Sequence, residues 1–200
     1  PSVPGTTAVI KPKTIGKLDF YVADKAYDGT TTAATPIISL DKNELVDKET
    51  LTASGIAEFD TTTIGKDRPV SITNVRLGNG SNGGLASNYS LDTKLKPKTK
   101  AAINYPDVSR TPLNLNSAQL AVLTPSMIAS LTPAQMASLS HAQIRLLTPL
   151  QLDSLSSRQL AQLSVDQFAS MTPEQLNILT SDALEKSTNN LPTASTTTLS

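Results

Sequence analysis

Hydrophobic and polar positions follow two different rules along this chain: alternation in the first half, a period of eight in the second. Leu18, Phe20 and Val22 stand at every other position among polar neighbours, the rhythm of a half-buried strand. Val70 and Ile72 share one parity, whereas Val75 and Leu77 share the other. An extra residue near Thr73-Asn74 reconciles the two, so a β-bulge is expected there. Asp28-Gly29 and residues 78–84 carry turn chemistry, and the polar stretch 41–51 leaves room for a short helix. Lys100-Ala101-Ala102-Ile103 reads as a closing strand, and Thr7-Ala8-Val9-Ile10 before Lys11-Pro12 resembles it. Residues 1–12 are therefore expected to end a preceding module and residues 13–104 to form the next, in a tandem array.

Beyond Tyr105 glycine disappears, and Leu, Gln and Ser take over. Residues 105–115, with Pro106 and Pro112, read as a linker. From 116 to 187 the pattern is Ser/Thr, often Pro, any, Gln, Leu, any, any, Leu. Asn116, Thr124, Thr132, Ser140, Thr148, Ser156, Ser164, Thr172 and Thr180 open the units. Pro125, Pro133, Pro149 and Pro173 follow four of them. Gln119, Gln135, Gln143, Gln151, Gln159, Gln167 and Gln175 hold the fourth place, with Met127 and Ala183 as exceptions.

Each position has a helical reason. The opening residue is an N-cap, the proline suits the first helical position, and the glutamine completes a capping box. One long helix is ruled out by cost. Interior prolines lose about 3 kcal/mol each, and eight residues advance about 800°, so the apolar pairs would spiral rather than align. Short helices are expected instead, restarting at each of nine units, of which the last, from Thr180, is decayed. Leu152 with Leu155, Leu160 with Leu163 and Phe168 with Met171 share a face. Such helices are unstable alone, so neighbours must bury those faces together in an α-solenoid. Alanine at the sixth place (Ala121, Ala129, Ala137, Ala161, Ala169) suits close approach between units. Residues 188–200 form a Thr/Ser tail with little to bury, expected to be disordered.

Composition narrows the function classes. Seventeen basic and seventeen acidic residues cancel without large blocks, unlike a dedicated nucleic-acid binder. Cysteine and tryptophan are absent and only one histidine occurs. Disulfides and thiolate metal sites are thereby excluded, and a Ser–His catalytic pair has too little to draw on. No run of about 18 apolar residues is present, so no membrane insertion is expected. Starting at Pro1 without a leader, the sequence reads as an internal piece of a longer protein.

The first half also resembles a known family. Ala23-Asp24-Lys25-Ala26-Tyr27-Asp28-Gly29-Thr30-Thr31 looks like the signature of the YDG domain, a repeat of filamentous-haemagglutinin-like bacterial exoproteins. Thr52-Ala53-Ser54-Gly55 leading to Ala57-Glu58-Phe59 resembles its middle strand. Ile64-Gly65-Lys66 with Val70-Ser71-Ile72, and Asn88-Tyr89-Ser90-Leu91, resemble its later motifs. The likeness covers residues 12–103 and departs at 78–84, where the family usually has a shorter loop. It implies a β-rich, β-grasp-like spacer or adhesion module, secreted or held at the bacterial surface. Tyr27, Asp28, Gly29, Asn88 and Tyr89 would then be structural.

Candidate chemistry is sparse. Asp24 and Asp28, helped by Asp60 or Asp92, are the candidates for a hard cation, against turn capping as the plainer reading. Lys94, Lys96, Lys98 and Lys100 alternate and are expected along one strand face, either as a patch for acidic polysaccharide, DNA or a neighbouring cell surface, or as protection of a sheet edge. His141 is expected at the surface. Residues 77–84 superficially resemble a phosphate loop but lack a following Lys-Ser/Thr, so a flexible hairpin loop is expected. Thr132, Gln135, Thr148, Gln151, Thr172 and Gln175 read as structural. The expected whole is an all-β module followed by an all-α solenoid, without catalysis or cofactor. It is expected to act as a structural and adhesive segment of a two-partner-secreted exoprotein, with contacts to surface glycans, proteins or biofilm. Alternatives are a docking module for a partner protein or the outer-membrane exporter, and a carbohydrate-binding module using Tyr21, Tyr27, Tyr89 or Tyr105. A Lys–Asn isopeptide remains open.

Overall fold

The computed structural model describes residues 11–109 and 113–188, with residues 182–188 described by backbone alone. The expected end of a preceding module falls largely on residues 1–10, and the expected Thr/Ser tail on 189–200; both lie outside the described residues. The chain divides into two compact units, residues 1–104 and 105–200.

The first unit is sheet-rich. Strands β1 (Lys13–Ile15) and β7 (Tyr89–Leu91) pair in parallel, and β2 (Leu18–Tyr21) pairs antiparallel with β4 (Ile37–Leu40). A four-stranded sheet runs β3 (Lys25–Ala26), β8 (Lys98–Asn104), β6 (Gly65–Asn79), β5 (Leu51–Phe59). The alternation read from sequence buries Leu18 and Val22, and Val22 packs in one cluster with Ala57, Phe59, Val70 and Ile72. A second cluster gathers Ile15, Leu51 and Tyr89, with Phe20 and Val75 packed against both.

The expected bulge is present. Ser54 pairs with Arg76 and Ile56 with Thr73, so Gly55 alone faces Asn74 and Val75. Asn74 takes φ 52°, a conformation that Asn tolerates better than most residues. A second bulge was not foreseen: Gly65 pairs with Ile103 and Arg68 with Ala101, and Asp67 between them has φ 53°. The short helix expected within 41–51 is one 3₁₀ turn, Lys42–Glu44, capped by the Asp41 side chain. No α-helix occurs among the described residues of this unit, so the helix that a β-grasp lays across its sheet is not among them.

The loop after β6 is not a hairpin, because β7 pairs with β1 and not with β6. It instead presses on Thr50. A Cβ on Gly80 or Gly84 would come within 2.0 or 1.9 Å of the Thr50 carbonyl oxygen, so both positions need glycine.

The second unit is built of short helices: α1 (Ser117–Ala121), α2 (Pro125–Ala129), α3 (Pro133–Ala137), α4 (His141–Leu146), α5 (Pro149–Asp153), α6 (Ser157–Leu160) and α7 (Val165–Ala169). Each starts where the sequence places an N-cap. The cap side chain accepts from the backbone N–H three residues on in all seven. Capping boxes are complete in all but α2, where Met127 replaces glutamine.

The exception to the period is α8 (Pro173–Thr188), which runs through Thr180 without a break. Three signals that stop the earlier helices fail there. Ser181 replaces proline and Ala183 replaces glutamine, and the Thr180 hydroxyl turns back to the Leu176 and Asn177 carbonyls rather than capping forward. Two further expectations need correction. The sixth-place alanines, Ala121, Ala129, Ala137, Ala161 and Ala169, are exposed, so they favour helix rather than close approach. The supposed linker 105–115 places Leu113 and Leu115 in the helical core.

Candidate functional site

Helix packing in the second unit follows a rule of three: α1 touches α4, α2 touches α5, α3 touches α6, α4 touches α7 and α5 touches α8. The fifth-place side chains Leu120, Ile128, Met136, Ile144 and Leu152 are buried between these layers, as are the eighth-place residues from Leu123 to Leu155. The glutamines tie the layers together. In Gln151 the side-chain oxygen accepts from the Thr148 N–H at 2.8 Å. Its Nε2 donates to the Leu123 carbonyl at 2.8 Å and to the Leu120 carbonyl at 3.1 Å. Gln143, Gln159, Gln167 and Gln175 repeat the long bond, to Leu115, Leu131, Leu139 and Leu147, each 28 residues earlier. Gln135 reaches Val108.

In Gln151, Gln159, Gln167 and Gln175 the amide thus serves one helix start with its oxygen and one earlier helix end with its nitrogen. Those ends carry carbonyls without intrahelical partners. A capping box accepts Glu as readily as Gln, yet the fourth place never holds Glu. That exclusion was the signal for a required N–H donor, and the capping reading alone overlooked it. The glutamines therefore form a ladder within the chain, and Gln135, Gln151, Gln159, Gln167 and Gln175 are almost wholly buried.

In the sheet-rich unit the YDG stretch is a local clamp. Lys25 Nζ donates to Asp28 at 2.7 Å and to the Thr30 and Thr32 carbonyls, and lies 5.9 Å from the Phe59 ring centre. The same Asp28 oxygen accepts from the Thr30 N–H and hydroxyl. Burial opposes the charge on Asp28, but these donors outweigh it and hold the carboxyl below its ordinary range. Gly29 takes φ 85° to close the turn, while Tyr27 packs on the core and its N–H bonds Asn104. Asp24 accepts from the Ala102 N–H at 2.7 Å.

The structure does not gather the candidate cation ligands. Asp60 accepts from Ser71, Asp92 caps the Lys94 N–H, and no metal-capable group of three or more His, Cys, Asp or Glu exists among the described residues. Tyr89 is buried, accepting from the Val46 N–H at 2.9 Å and donating to Glu49 at 2.5 Å. That bond to the Glu49 carboxylate holds its phenol above the ordinary value. Asn88 closes a 3₁₀ turn (Ala86–Asn88) just before it.

The lysine row is only partly a strand face. Lys98 and Lys100 lie on β8, but Lys94 sits in the Asp92 turn and Lys96 precedes Pro97, so neither belongs to the strand. All four are exposed, and Lys98 pairs with Asp60 at 3.8 Å. His141 is exposed at the first position of α4. Of the tyrosines, Tyr21 and Tyr105 are exposed, one in each unit. An open cleft of about 500 Å³ lies beside β4, with Ile38, Leu40, Leu45 and Leu51 among its lining and Lys42, Asp47, Lys48 and Glu49 around it.

These features describe a two-unit protein whose polar groups are engaged mainly in holding turns and layers. Its first unit carries a recognised domain: a YDG domain is found at residues 11–99. No curated protein and no solved structure matches the chain.

Proposed function

We propose that this chain is a structural and adhesive segment of a large bacterial surface or secreted exoprotein of the filamentous-haemagglutinin-like kind. The YDG unit acts as a spacer, and the octads coil as an α-solenoid that extends reach. Support comes first from the glutamine ladder, whose bonds reach 28 residues back and join the later octads to those four units earlier, a single local rule from which an extendable rod can be built. The YDG domain at residues 11–99 agrees with a repeat-built parent. Adhesion in this reading is weak per copy and multiplied by number, with the exposed lysines near β8 as one contact surface for acidic glycans.

The test is density dependence. Beads coated with increasing amounts of the chain are presented to bacterial exopolysaccharide, to host glycans and to cultured cells. Attachment is expected to rise more steeply than coating density, and to fall when Lys94, Lys96 and Lys100 are replaced by Gln. Tight, saturable 1:1 binding of the monomeric chain to one soluble ligand would replace the spacer reading with a dedicated receptor.

A further inference from the structure

Among the described residues, the rule of three leaves one end of the octad stack uncovered. Fifth-place residues with a helix three further on, Leu120 to Leu152, are 0–1 % exposed. The last three helices have no such successor among the described residues. Their fifth-place residues open in order: Leu160 and Phe168 are half-buried, and Leu176 is 39 % exposed. The ladder stops at the same place. Counting 28 residues on from Leu155 and Leu163, the step seen at Gln151 and Gln159, reaches Ala183 and Leu191, which have no amide to give.

The face is therefore continuous with a packing surface that inside the chain is always filled by one kind of partner. That partner brings apolar side chains at its fifth and eighth places and a glutamine N–H for the corner carbonyl. We propose that α6, α7 and the start of α8 dock a second polypeptide bearing octads of the same pattern, Ser/Thr-Pro-any-Gln-Leu-any-any-Leu, which continues the stack in trans. A purely apolar occupant fits less well, because it would bury the corner carbonyls without donors. In a folded second copy the matching glutamines are already engaged in its own ladder. The inference goes beyond the spacer reading and does not depend on it.

The test uses the full chain and a synthetic peptide of residues 132–155, which carries Gln135, Gln143 and Gln151 with their apolar pairs. Saturable 1:1 binding is expected by fluorescence anisotropy. A peptide with all three glutamines changed to Glu should bind at least about tenfold more weakly, since a carboxylate cannot donate. Leu176→Lys in the chain should weaken binding about as much while leaving the unfolding midpoint in place, because Leu176 is already exposed. Absence of binding or indifference to Leu176→Lys overturns the proposal. Self-association of the unmodified chain that Leu176→Lys abolishes also overturns it, and gives the face to a second copy.

Discussion

At Gln151 one side chain reports how the octads work. Gln151→Glu keeps an oxygen for the Thr148 N–H but loses both Nε2 donations and sets a carboxylate, 2 % exposed, against two carbonyls. A loss of about 3 kcal/mol or more is expected in urea unfolding. The same change at the half-buried Gln143 should cost clearly less. Tyr89 gives a second residue-scale prediction. Its folded pKa is raised above 10.0 by the bond to Glu49, so its stabilisation is complete below the unfolded value and is lost as pH climbs through the folded one. The sheet-rich unit should weaken above about pH 10, and Tyr89→Phe should flatten that slope relative to the other tyrosines.

Among elements, the contrast between α7 and α8 isolates what ends a helix here. Helix α7 stops at Ala169, and Thr172 and Pro173 open the next with a complete capping box. Helix α8 passes its own eighth residue because neither proline nor glutamine is there. Ser181→Pro should break α8 near Thr180 and reduce helical circular dichroism, at a cost of about 3 kcal/mol if the broken half does not re-dock. This local grammar was readable in sequence because caps, first-turn prolines and apolar pairs act within one turn of helix. The bulge at Asn74 was readable for a similar reason, since a parity slip leaves its mark in consecutive residues. The bulge at Asp67 left no such mark, because Lys66, Asp67 and Arg68 are all polar. The lysine row failed as a strand because Asp92 and Pro97 set the local backbone, and alternation of charge alone does not make a ladder. The long glutamine bonds were illegible for a different reason: their acceptors are main-chain carbonyls, which every residue carries.

For the whole molecule, the two units answer to different physics. The sheet-rich unit depends on pairings far apart in sequence, such as β1 with β7, so small deletions should be poorly tolerated there. The octad unit depends on register. Removing residues 140–147, one full octad, should preserve mean helicity and cooperative unfolding with reduced stability. Removing only 140–143 sets Gln151, Gln159 and Gln167 against the wrong carbonyls and should abolish cooperativity; circular dichroism with calorimetry separates the two outcomes. A further consequence concerns minimum size. Since each rung spans 28 residues, a run of three octads is too short to form a single one. Cohesion must therefore switch on in the fifth unit, as Gln151 meets Leu123, and then grow by one rung per unit, so an ancestral array had to be born more than four units long or lean on something else until it was.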